Sequence, residues 1–258
     1  MAKNFTDLTG RVAVVIGGTS GIGKSMAIGL AEAGADVIPT GRREANVREV
    51  CDIIRAEGRD TLEMAADVSD RKSIDAFRDA VGAKFGRVDI LLNVAGRIKR
   101  TPTKDVSEEE WTGIMDTNVT GTLRACQAFY ELLLKSGKGR VINIASLNSY
   151  VALYEVAAYA ASKSAVLSLT RSLAVEWSRH GINVNAIAPG VFRTDLNSAL
   201  LDGTPRGKEL LMRTPMGRFG KTDELVGAAV LLASDAASYI TGECIAVDGG
   251  FLCSGVNQ

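Results

Sequence analysis

Short apolar runs alternate with longer amphipathic stretches along nearly the whole chain. Arg11–Ile16 is apolar after its first residue and rich in β-branched side chains, which predicts a buried strand. A helix is expected over Lys24–Ala33, ended near Gly34. A strand over Asp36–Thr40 and a helix over Ala45–Glu57 follow. Thr61–Ala65 reads as a third strand and Lys72–Phe85 as the helix after it. Asp89–Asn93 reads as a fourth strand, leading into a long helical region over Ser107–Leu134. Arg140–Ala145, Asn183–Ala188 and Cys244–Val247 complete the strands, with helices over Ala157–His180 and Thr222–Ser234. Strands that are apolar on both sides and separated by helices indicate a parallel sheet covered on both faces. With right-handed crossovers, the expected fold is a single α/β Rossmann-like domain over residues 1–258, doubly wound about a parallel seven-stranded sheet. Only 194–220 breaks the rhythm. It is long and mixes Gly and Pro with apolar residues, and is expected to be a substrate loop.

Composition narrows the function. The 258 residues carry 30 Lys plus Arg and 30 Asp plus Glu, so the molecule has no net field to attract nucleic acid. Cys51, Cys126, Cys244 and Cys253 are far apart and the one histidine is His180, which argues against a zinc site and for reduced cysteines in a cytoplasmic protein. The first residues contain no apolar core of a signal peptide, and no apolar run approaches the roughly 18 residues of a membrane span. A small-molecule partner is expected.

After the first strand comes Gly17-Gly18-Thr19-Ser20-Gly21-Ile22-Gly23, then a helix. Glycines permit a tight turn and let backbone N–H groups approach a pyrophosphate, and the helix N-terminus behind them favours negative charge. Gly17, Thr19, Ser20, Gly21, Ile22 and Gly23 are the candidate contacts; a ligand-free glycine turn is the alternative. At the end of the second strand, where a carboxylate would select NAD, stands Gly41 followed by Arg42 and Arg43. Two guanidinium groups suit the 2′-phosphate of NADP, so NADP(H) is favoured and NAD(H) remains open, unless both arginines are merely solvated. Asp67-Val68 ends the third strand, where a carboxylate would meet an adenine edge. Asn93-Val94-Ala95-Gly96 ends the fourth, where small residues admit an adenosine close to the backbone.

Tyr159 and Lys163 are four apart on one predicted helix face. An ammonium beside a phenol favours the phenolate and prepares it for proton transfer. Ser146 follows the fifth strand and would hydrogen-bond a substrate oxygen. Asn118, inside a helical region, would bend the helix and hold a water near the lysine. The pair alone is a weak signal; the four residues with the glycine turn are a strong one.

Together these residues resemble the short-chain dehydrogenase/reductase family, of the classical type. The resemblance runs from about Leu8 to Gly250. It rests on Gly17, Gly21, Gly23, Asp67, Asn93 to Gly96, Asn118, Ser146, Tyr159, Lys163, Pro189-Gly190 with Thr194, and Val247 to Gly250. It implies an oxidoreductase in which Tyr159 moves the proton and Lys163 lowers the tyrosine pKa and binds the nicotinamide ribose. Ser146 would orient the substrate oxygen and Asn118 would hold the relay water. Pro189, Gly190 and Thr194 would contact the nicotinamide and pyrophosphate. It also implies a homotetramer. The chain departs from the family pattern at Ile16, which lacks a hydroxyl that would brace the turn, and at Val94, which lacks an amide that would bond across strands.

Within the family, Gly96-Arg97-Ile98-Lys99-Arg100 resembles the gluconate 5-dehydrogenase and sugar-acid dehydrogenase group, and Lys99 and Arg100 would hold a substrate carboxylate. A solvated basic loop is the other reading of the same residues. A 3-oxoacyl-thioester reductase is the alternative activity, and a non-catalytic nicotinamide-binding sensor or scaffold the alternative class. Leu196, Leu200, Leu201, Leu211 and Met212 are expected to shape the choice of substrate. A serine hydrolase built on Ser146 and His180 is disfavoured because no nucleophile elbow is present.

Overall fold

The side chains of β1 (Val12–Ile16) divide the molecule. Val12, Val14 and Ile16 face one helical layer, and Ala13 and Val15 the other, as the two-residue period of a strand requires. The computed structural model describes residues 4–194 and 201–257. On the first face lie α3 (Arg71–Phe85), α5 (Gly121–Ser136) and α6 (Ala157–Trp177), whose Phe77, Phe129 and Trp177 cover the sheet. On the second lie α1 (Gly21–Glu32), α2 (Glu44–Ala56) and α8 (Val226–Ala233), through Met26, Leu30, Ile54 and Leu232. Gly29 lets α1 approach Val226 so closely that a methyl group there would collide with it.

The other strands are β2 (Asp36–Thr40), β3 (Ile90–Asn93), β4 (Arg140–Ile144), β5 (Asn183–Pro189) and β6 (Cys244–Val247). All pairs are parallel and the order is β2-β1-β3-β4-β5-β6. The order reverses between β1 and β3, so a crevice opens above their carboxyl ends, where open α/β sheets bind ligands.

The sheet has six strands, not the expected seven. Thr61–Ala65 does run beside β2: Val37 N–H donates to Asp60 O (3.1 Å), and Ala66 N–H donates to Gly41 O (3.1 Å). The N–H between these two points, on the same edge of β2, belongs to Pro39, which has none. The ladder is cut at its centre, and the Thr40 hydroxyl bonds Met64 O (2.9 Å) in its place.

The helical region expected over Ser107–Leu134 is α4 (Glu108–Met115), a π turn over Asp116–Thr120, and α5. Ser107 caps α4, and Glu108, Glu109 and Glu110 occupy its first turn, a good match to the helix dipole. The 194–220 excursion closes at its base, where Phe192 pairs with Gly220. It contains α7 (Pro205–Arg213), capped by the Thr204 hydroxyl with Pro205 in the first turn. Leu196 and Leu200 lie outside the described residues. Among the described residues no helix is long and apolar enough to cross a membrane.

Candidate active site

The glycine turn is held by close backbone packing. Gly17 has φ +84°, and a Cβ there would lie 2.6 Å from Ala95 N; a Cβ on Gly23 would strike the Gly17 carbonyl. Gly17 and Gly18 N–H both donate to Thr40 O (2.9 and 3.1 Å), tying the turn to the end of β2. The N-cap of α1, Ser20, makes no side-chain capping bond, and the first turn carries no acidic residue. The helix therefore presents open N–H groups above a glycine cradle, which fits a pyrophosphate. Thr194 reaches over this turn, its Cγ2 3.7 Å from where a Gly21 Cβ would be.

A Cβ on Gly41 would lie 2.6 Å from the Thr19 hydroxyl, so a side chain there would press on the turn. Arg42 and Arg43 are exposed beside it. Burial would push the Asp67 carboxyl up. The Ser69 hydroxyl and N–H, with Arg42 and Arg124 nearby, outweigh it and hold the group below its ordinary value. Arg42 and Asp67 thus share one electrostatic neighbourhood beside the end of β2. Val68 beside them is buried and accepts from Arg124 through its carbonyl.

Ser146, at the end of β4, has its hydroxyl bonded by Asn148 N–H (3.2 Å). Burial pushes the Tyr159 phenol up, and the Ser146 hydroxyl beside it pulls it partly back. Lys163 is buried one turn further along α6. Its Nζ donates to Ile144 O (2.6 Å) and stands 5.7 Å from the Tyr159 ring centre, and burial lowers its pKa to about 8. Asn118 sits in the π turn. Its Oδ1 accepts from Arg97 N–H (2.8 Å), and its Nδ2 donates to Arg97 O (3.0 Å) and Ser162 Oγ (2.9 Å). The Ser162 hydroxyl in turn donates to Tyr159 O (2.7 Å). The end of β4, the π turn and α6 itself thus surround Tyr159.

The family model described as enoyl-(acyl carrier protein) reductase matches residues 16–252. The chain belongs to the short-chain dehydrogenase/reductase family. It is 43% identical over 253 residues to a 2-dehydro-3-deoxy-D-gluconate 5-dehydrogenase of Dickeya dadantii, covering 98% of this chain and 99% of that one. It is 39% identical over 244 residues to a 3-oxoacyl-[acyl-carrier-protein] reductase of Vibrio cholerae, covering 95% and 98%. A solved gluconate 5-dehydrogenase from Burkholderia cenocepacia, in complex with NADP and tartrate, superposes with a TM-score of 0.93 at 38% identity, covering 97% of this chain and 98% of that one. Members of the family are dehydrogenases acting on CH–OH groups, and this chain is one of them.

The crevice of this dehydrogenase gathers the glycine turn, Ala95, Gly96, Ser146, Tyr159 and Lys163. A Cβ on Gly96 would lie 3.6 Å from Lys163 Nζ. Pro189 and Gly190 end β5, where Gly190 packs against Asp248 so tightly that a Cβ would lie 2.6 Å from its Cα. Asn93 is buried at the end of β3, with its Oδ1 unpartnered. Its amide is engaged by Asn143 Oδ1 (2.9 Å) and Cys126 Sγ (3.3 Å), the cross-strand bond that Val94 lacks. Lys99 pairs with Glu110 (2.6 Å) and Arg100 with Glu155. His180 lies at the exposed end of α6, bonded to Tyr130 (2.8 Å). Sequence reasoning passed over Ser162, the link between Asn118 and Tyr159, because a serine inside a helix carries no signal of its partners. It also passed over α7, although Thr204-Pro205 is a legible helix start.

Proposed function

We propose that this protein is an NADP-dependent dehydrogenase that interconverts a secondary alcohol and a ketone on a sugar acid such as gluconate and 5-ketogluconate. The observation that carries the reading is the Ser146–Tyr159–Lys163 set, closed in by Asn118, in a chain that matches a sugar-acid dehydrogenase along its full length. Bound NADP supplies the acceptor for the hydride leaving the carbinol carbon. Tyr159 Oη takes the hydroxyl proton as the C=O bond forms, and returns it in the reverse direction. Ser146 Oγ fixes the substrate oxygen against Tyr159. The Lys163 ammonium stabilises the phenolate and reaches the ribose hydroxyls, and Asn118 positions this pair and the relay water.

For the cofactor, Gly17 through Gly23 hold the pyrophosphate, Arg42 with Arg43 the 2′-phosphate, and Asp67 and Val68 the adenine. Ala95 and Gly96 border the ribose, while Pro189, Gly190 and Thr194 hold the nicotinamide side. The NADP complex of the Burkholderia cenocepacia relative supports this choice over NAD. The 194–220 excursion serves as the substrate loop, and the working form is a cytoplasmic homotetramer. A 3-oxoacyl-thioester reductase is the second reading, favoured by the Vibrio cholerae relative and by the exposed apolar side chains of Met212 and Met216. Rates with gluconate and NADP, against those with an acetoacetyl thioester and NADPH, decide between them.

A further inference from the structure

Two arginines from different parts of the chain flank a single carboxylate beside the catalytic loop. Arg100, from the segment after β3, pairs with Glu155. Arg206, on the first turn of α7, donates through Nη1 to Tyr154 O (3.1 Å). Glu155 is the only described non-glycine residue with positive φ (66°), and its carbonyl accepts from Thr101 N–H (2.9 Å). Such a backbone costs about 1 kcal/mol or more and persists where surrounding contacts hold it. It stands four residues before Tyr159.

Leu210, one turn on from Arg206 and on the same side of α7, belongs to one buried cluster with Leu147. Leu147 adjoins Ser146. Burial, then the like charge of Arg100, depress the Arg206 guanidinium, and Glu155 and Glu209 offset this only in part. Lys99 differs. Its charge is matched by its own carboxylate, Glu110, which is almost fully buried.

We propose that Arg206, with Arg100, forms the subsite for the carboxylate of the substrate: Glu155 pairs with Arg100 and Glu209 with Arg213, which leaves the Arg206 guanidinium to attract the acid. The inference rests on the sugar-acid reading and names the group that reads the acid. A planar guanidinium on a helix that borders the catalytic loop suits a bidentate carboxylate. Arg100 lies on the segment after β3 and Arg206 on α7, so an acid bound between them would also tie these two elements together.

The test compares Arg206→Met and Arg206→Lys with the wild type, each loaded with NADPH. Binding of gluconate, tartrate and the uncharged polyol sorbitol is followed by cofactor fluorescence, and KM and kcat for gluconate are measured with NADP. Arg206→Met should weaken gluconate and tartrate about tenfold or more, leave sorbitol unchanged, and raise KM far more than it lowers kcat. Arg206→Lys should recover part of the loss. Equal losses for gluconate and sorbitol would reduce Arg206 to a packing residue and overturn the subsite. So would carboxylate binding that is unchanged, or wild-type enzyme that binds neither acid. Wild-type enzyme that binds both acids through Arg206 but oxidises no sugar acid would keep the subsite and refute the assigned substrate.

Discussion

The Asn118 carboxamide bonds both backbone groups of Arg97, accepting from its N–H at 2.8 Å and donating to its carbonyl at 3.0 Å. The segment after β3 is thereby fixed to the π turn, and through Ser162 to the backbone of Tyr159. Widened helical turns of this kind concentrate at functional sites. Asn118→Ala leaves the Arg97 groups and the Ser162 hydroxyl short of partners, at a cost of about 1–3 kcal/mol. Thermal melting should show that loss. The alkaline limb of the kcat profile should also move, because the tyrosine's surroundings change; a variant that is less stable but has an unshifted profile would make Asn118 structural only.

Tyr159→Phe removes the hydroxyl and leaves the buried ring. Turnover should fall by about 10² to 10⁴, while NADPH binding, titrated by fluorescence, stays within a factor of about two. In the oxidation direction the wild-type rate should rise with pH, since the phenolate is the proton acceptor and burial holds that phenol above its usual value. A rate independent of pH between about 6 and 10, with chemistry limiting, would remove Tyr159 from the role of base.

Lys163 makes a prediction about stability. Its pKa falls from 10.5 to about 8 on burial. Between those values the unfolded chain binds more protons than the folded one, so stability rises as the pH climbs from about 8 toward 10.5, and the penalty is complete below 8. Lys163→Met removes the penalty, about 3 kcal/mol at pH 7 before the loss of the bond to Ile144 O is deducted. Calorimetry should therefore find the inactive variant gaining more over wild type at pH 7 than at pH 10; an equal difference at both would show that burial does not tax this ammonium.

Arg42 is exposed at the end of β2 and lies within electrostatic reach of Asp67. Arg42→Ala should weaken NADP by about 10- to 100-fold and NAD by less than about threefold, read as separate KM values. Equal losses would show that Arg42 does not read the phosphate.

The architecture was legible because the strands of the sheet centre are buried on both faces and therefore mostly apolar, as Val12–Ile16 and residues 90–92 are. The glycine turn and the Tyr159–Lys163 spacing were legible for a similar reason: local geometry demands those residue types at those intervals. What escaped depends on hydrogen-bond direction or on distant partners. Thr61–Ala65 has a strand's composition, but its pairing is decided by Pro39, whose missing N–H matters only once β2 is oriented. Asn93 reads as a strand end, and the partner of its Nδ2, Asn143 on the neighbouring strand, is 50 positions away. The basic run at Lys99 and Arg100 gave no hint that Glu110 and Glu155 answer it, since those glutamates lie 11 and 55 positions away.

The most direct measurement is the initial rate of nicotinamide reduction by the purified protein with gluconate, run with NADP and NAD side by side. Turnover with a clear preference for NADP is the expected result. Enzyme that binds NADPH, reduces an acetoacetyl thioester and leaves gluconate untouched with either cofactor would contradict it.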